Sequence, residues 1–420
     1  MTSTAALARR LGTSDAVVIG LSSMIGAGVF SAFGPAARAA GTGLLIGLAI
    51  AGGVAYCNAV ASAQLAAQYP TSGGTYIYGR ERLGEWWGFV AGWGFVIGKT
   101  ASCAAMALTF ASYAAAGSLW IDRGVAVAAV VVLTAANYFG ISRTAEIARV
   151  LVTVSILALL VVVVAIAASG QVHSGVGSSS FGAYGVLQAA GLLFFAFAGY
   201  ARIATLGEEV RDPEVTIPRA IPVALAIALA LYLAVGVAAL AGAGPAALAV
   251  SVRPLATAVD AAGAAWALPV VRIGAAVASL GALLALIAGV GRTGLAMARN
   301  GDLPRWLASV HPRYRVPDHA ELTVALAVVI LVLTTDLRNA IGFSSFGVLL
   351  YYAVANASAY TQPAERRRWP RALNVIGLGG CLLLVVTLPW SAIVAGAAVI
   401  AAGIVGRAFA RRQWSSSAAG

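Results

Sequence analysis

Charge is scarce in this chain. Only 10% of its 420 residues are Asp, Glu, Lys or Arg, against 60% hydrophobic ones, and the mean hydropathy is +0.90. So little polar material cannot cover a soluble globule, and apolar runs of helical length make the fold class an all-α polytopic membrane protein. Cysteine is almost missing as well. Cys57, Cys103 and Cys381 each sit inside an apolar run without CxxC or metal spacing, and read as packing residues. The three histidines, His173, His311 and His319, do not cluster, and neither HExxH nor GxSxG occurs, which argues against a membrane enzyme. No catalytic residue, metal or cofactor is expected. No loop is long enough to fold as a soluble module, so a sensor or scaffold is disfavoured and function must reside in the helix bundle.

What the chain does have is a succession of apolar runs of about 20 residues, the length that crosses a bilayer. Twelve spans are expected: 15–36, 42–67, 86–117, 124–141, 144–169, 186–207, 218–242, 266–292, 320–335, 337–360, 372–388 and 390–407. The division between the ninth and tenth rests on the polar interruption Thr335–Asp336. A short external helix is expected within 245–265, and the Gly- and Tyr-rich stretch 69–85 should lie on the inner surface. The first run follows Arg9 and Arg10 and is too long for a signal-peptide core, so it stays as a membrane helix.

The arginines set the orientation. With a cytoplasmic N-terminus, 20 basic residues fall in inner segments and 5 in outer ones, leaving Lys99 and Arg202 inside spans. Both termini are therefore expected in the cytoplasm, and the net charge of +12 reports topology in a cell membrane rather than a nucleic-acid partner. Trp86, Trp87, Trp120, Trp266, Trp306, Trp369 and Trp390 fall near span ends, as interfacial anchors should. Abundant Arg, Ala and Gly beside almost no Lys points to a GC-rich bacterial genome.

Two spans are interrupted by glycine, at Ser22–Phe30 (SSMIGAGVF) and at Phe194–Ala201 (FFAFAGYA). Each break leaves backbone groups without helical partners at a depth where lipid cannot satisfy them, so something polar belongs there. They fall in the first and sixth spans, and an odd number of helices per half reverses orientation. The chain then divides into an N-terminal segment (1–14), a first inverted repeat (15–170), a second (186–361), an appended helix pair (372–408) and a tail (409–420). At the first break, Gly26 and Gly28 flank Ala27, leaving amide groups free to meet a carboxylate. At the second, carbonyls around Phe195–Ala198 would face a cationic group. Together they describe a site for a small zwitterion. The competing reading is close helix packing by small residues, which two matched breaks make the weaker one.

Lys99 is the only lysine, and it lies mid-span in GWGFVIGKTASCAAMAL. Arginine holds its proton, whereas a desolvated lysine can load and unload one, so Lys99 is the best candidate proton carrier. Its alternatives are a structural lysine bound to helix-break carbonyls, or one snorkelling to an interface. Arg202, just past the second break, could pair with an acidic side chain, but more readily counters Glu208 one and a half turns away or points into a water-filled vestibule. Glu208 and Glu209 read as a solvated helix end, or a closing ion pair with Arg9 or Arg10, Glu208 with Arg10 foremost, makes an inner gate.

At these residues the chain resembles the amino acid-polyamine-organocation transporter superfamily, especially its cationic-amino-acid-transporter-like permeases. The resemblance is carried by GLSSMIGAGVF, by FFAFAGYARIATLGEEVRDPEVTIPRAI, by NYFGISRTAE and by AMARNGDLPRWLASVHPRYRVPDHA, and spans Asp15 to Pro363. It implies a LeuT-type five-plus-five inverted repeat with discontinuous first and sixth helices, and amino acid transport by alternating access, with proton-driven uptake as the first reading and an amino acid or amine exchanger or exporter without ion coupling as the second. By position it implies that amides near Gly26, Ala27 and Gly28 take the substrate carboxylate, and that carbonyls near Met24, Phe195 and Ala198 take the amino group. It further implies that Phe195 is an aromatic lid, and that Lys99 lies on the wall meeting the substrate side chain, where it would repel lysine and arginine. Proton-coupled relatives often carry a lysine in the fifth helix where this chain has Ser155. Either Lys99 has taken over coupling, or Ser155 marks a cation site, or solutes exchange without an ion.

Overall fold

Backbone that must satisfy its own polar groups in lipid can only coil or close into a barrel. The computed structural model, which describes residues 11–70, 73–115, 117–139, 145–171, 182–204 and 209–417, coils: apart from one bridge between Leu11 and Val210, its regular structure is helical. The first expected span is built in three pieces, α1 (Thr13–Met24), α2 (Ala27–Ser31) and α3 (Phe33–Ala40), and the second is α4 (Leu44–Gln68). A short helix, α5 (Thr75–Leu83), precedes α6 (Glu85–Ala114), α7 (Leu119–Tyr138) and α8 (Ala145–Ala168). The sixth span is α9 (Ala183–Phe197) plus the single turn α10 (Ala201–Ala204). After it come α11 (Pro213–Val250), the short α12 (Pro254–Ala261) inside the stretch where an external helix is expected, and α13 (Leu268–Arg299). The remainder is α14 (Asp318–Thr334), α15 (Leu337–Tyr360), α16 (Arg371–Thr387) and α17 (Trp390–Ser417).

Nine helical segments among the described residues are long and apolar enough to cross a membrane. The other three expected spans fall on shorter pieces: the sixth is divided, and α14 and α16 have 17 residues each. Expected boundaries hold best where polar residues mark them. Asp336 caps α15, its side chain accepting from the Asn339 amide at 2.8 Å, in the interruption that separates the ninth and tenth spans. Boundaries err where apolar helix continues past the bilayer length. α11 begins at Pro213, a residue suited to a first helical position because it lacks an N–H, and extends through a kink at Gly244.

Packing separates two hydrophobic cores. The larger gathers α1, α3, α4, α9 and α11 together with parts of α8, α13, α15 and α16. The smaller is made by the later part of α6 with α7, α13 and α14, and Ala27 from the first break belongs to it. α2 therefore sits where the two cores meet.

At the arginine-rich end, a buried ion cluster ties distant segments. Asp302, in the turn after α13, bonds Arg80 of α5 at 2.9 Å and Arg407 of α17 at 2.6 Å, and accepts from the Tyr76 hydroxyl at 2.8 Å. The side chains of Asp302 and Arg407 have no solvent exposure. Arg407 also stacks over Trp86 and Phe89 of α6. Burial, reinforced by the hydrogen bond to Asp302, pushes the Tyr76 phenol up, so it remains a proton donor to the carboxylate.

Candidate functional site

α1 stops at Met24 because Ile25 leaves helical geometry, and Gly26 turns its amide back to the Met24 carbonyl at 2.8 Å. α2 restarts at Ala27, so its opening amides have no acceptor within the helix. α9 stops at Phe197, followed by the turn Ala198–Gly199–Tyr200 before α10. The two breaks touch. A Cβ on Gly28 would lie 2.6 Å from the Ala196 Cα, and one on Gly199 would clash with the Ser23 carbonyl, so only glycine admits this approach. Met24, Gly26, Ala27, Gly28, Phe195 and Ala198 are all buried.

Lys99 reaches this crossing from α6. It is 5% exposed, and its ammonium donates to the Ala198 carbonyl at 3.0 Å. That is the helix-break contact weighed in the sequence as its structural alternative. Two tyrosines complete the site. The Tyr232 hydroxyl, on α11, lies 2.7 Å from the Met24 carbonyl and 3.1 Å from the Ala196 carbonyl, so its one proton is shared between the ends of both broken helices. The Tyr352 hydroxyl lies 3.5 Å from the Ala198 carbonyl. The Met24 and Ala198 carbonyls thus already hold protein donors, and a substrate ammonium there would share or displace them. Sequence reasoning missed both tyrosines. For Tyr232 the signal was present: it is the single polar side chain between Arg219 and Ser251.

Phe195 packs in a small cluster with Leu192, Ala105 of α6 and Ala340 and Ile341 of α15, closing one side of the crossing. Ser155 borders the first break from α8. Its hydroxyl donates to the Leu151 carbonyl at 2.8 Å, and it lines a void of about 10 Å3 between α8, α1 and α13 with Ser22, Ile25 and Ala278. That volume suits about one water-sized occupant. Arg10 and Glu208 lie outside the described residues. Their neighbours are joined: the Leu11 amide donates to the Glu209 carbonyl at 3.2 Å and the Arg211 amide to the Leu11 carbonyl at 2.9 Å. Arg202 lies 3.9 Å from the Glu209 carboxylate.

A family model described as amino acid permease matches residues 11–409, nearly the whole chain. The chain belongs to the amino acid permease family. An uncharacterised transporter of Mycobacterium tuberculosis is 59% identical over 403 residues, covering 95% of this chain and 90% of that protein. A branched-chain amino acid permease of Bacillus subtilis is 26% identical over 418 residues, covering 92% and 90%. A chloroplastic cationic amino acid transporter of Arabidopsis thaliana is 28% identical over 421 residues, covering 91% and 70%. Membership in the permease family makes this chain a multi-pass membrane transporter, not an enzyme, and places an amino acid as its class of cargo.

Proposed function

We propose that this permease is a secondary active transporter that moves an amino acid across a bacterial cell membrane by alternating access, with proton-coupled uptake. In this reading twelve helices cross the bilayer with both termini in the cytoplasm, and 15–170 and 186–361 form the inverted repeats that rock about the two breaks. The observation that carries it is the contact of α1–α2 with α9–α10 at two non-helical turns, where backbone meets backbone at Gly28 and Ala196 and at Gly199 and Ser23. Amides at Gly26, Ala27 and Gly28 take the substrate carboxylate. Phe195 lids the pocket, and Arg10 and Glu208 close it from within.

Lys99 is the proton carrier in this reading. It is buried, it hangs on a break carbonyl, and it can release a proton where the arginines cannot. Purified protein in liposomes should accumulate an amino acid when an inward acid gradient is imposed, and dissipating the gradient should end accumulation. Lys99→Ala should lose the pH dependence while solute counterflow stays detectable; an unaltered pH dependence in that variant defeats the assignment. A second reading draws on the void beside Ser155 and Ser22, where a small cation would couple instead. Accumulation that follows a sodium gradient at fixed pH would favour it, and exchange indifferent to both gradients would mark an uncoupled exchanger.

A further inference from the structure

Charge around Lys99 is unbalanced. Its hydrogen bond to Ala198 is the only one it makes among the described residues, and no carboxylate there lies within ion-pair distance of it. Neither broken segment carries an acidic residue from Ser22 to Phe30 or from Phe194 to Ala204. The one acidic residue on α6 is Glu85, 14 residues away, about 21 Å along the helix. Glu85 is engaged elsewhere, with Arg80 and Arg407. An ammonium buried without a counter-ion is costly, and the carbonyl it touches offers only a dipole.

A zwitterion leaves this imbalance untouched, because its own charges cancel. An amino acid with a second carboxylate removes it. Resting on the transport reading above, we propose that Lys99 is a specificity-determining residue that pairs with a side-chain carboxylate, so that the preferred substrates are acidic amino acids, aspartate or glutamate. The remaining N–H groups of Lys99 supply the donors, and no atom of the backbone sites at Gly26–Gly28 is needed for the second carboxylate. The same charge repels lysine and arginine and leaves neutral amino acids with an uncompensated cation beside them. Cys103, one turn along α6, and Tyr352, beside the shared carbonyl, are neutral groups that do not substitute for an anion.

The test is competition binding to purified protein with glutamate, glutamine, aspartate, asparagine, leucine and arginine. Glutamate and aspartate should bind at least about 30-fold tighter than their isosteric amides, the scale of a buried charge pair. Lys99→Met should abolish that ratio and Lys99→Arg should retain a preference for the acids. The wild-type ratio decides the matter even where a variant does not fold. Equal affinity for glutamate and glutamine, or a ratio unchanged in Lys99→Met, overturns the proposal while the transport reading stands. Failure to bind any amino acid overturns both.

Discussion

At position 232 a single phenol oxygen meets the ends of both broken helices, sharing the Met24 carbonyl with the Gly26 amide. Tyr232→Phe keeps the ring, which tilts against Phe197 at 5.1 Å, and removes only that shared hydrogen bond. Loss of buried partners on that scale costs about 1–3 kcal/mol, so the variant should melt several degrees lower in detergent and transport more slowly. A methyl at Gly28 acts in the opposite sense, by intrusion. Overpacking costs about 1–3 kcal/mol, and because the clash is with the backbone of Ala196, Gly28→Ala should insert in the membrane yet lose uptake. Wild-type uptake in that variant would show that the two turns need not touch during the cycle.

Helices and their interruptions were the most legible level of this chain. Gly26 and Gly28 announced the first break and Gly199 the second, because glycine mid-span removes side chains where two backbones must meet. The interruption Thr335–Asp336 announced the start of α15, because an aspartate before an apolar run satisfies an orphan amide. Asp336→Ala should cost about 1 kcal/mol, read as a small fall in melting temperature with uptake unchanged. Helix ends such as Arg299 were not legible, since an apolar helix is free to continue beyond the lipid and composition does not say where. Nor was the partner of Lys99. A spacing pattern places a lysine on a helix, but which carbonyl it meets depends on how α6 crosses α9, a long-range fact.

Across the whole molecule, the strongest polar link joins residues far apart in sequence. Arg80, Asp302 and Arg407 come from α5, the turn after α13 and α17, and the Trp93 indole adds a bond of 2.9 Å to the Val399 carbonyl. Removing the shared carboxylate by Asp302→Asn leaves two cations with weakened partners, one wholly buried. Breaking a buried pair in this way costs about 3–5 kcal/mol, so the variant should be poorly stable at any substrate concentration, measured as loss of monodisperse protein on mild heating. Arg407→Met, which preserves volume over Trp86, should be less harmful because Arg80 still serves Asp302.

The enclosed thiols offer a practical return. Cys381 bonds Asn58 beside Tyr200 of the second break, Cys57 precedes Asn58 on α4, and Cys103 stands one turn from Lys99 on α6; all three are buried. A membrane-permeant maleimide should leave Cys103 unalkylated in the closed arrangement and tag it whenever water enters along α6. With Cys57 and Cys381 replaced by alanine, the native thiol at Cys103 therefore serves as a chemical clock for opening.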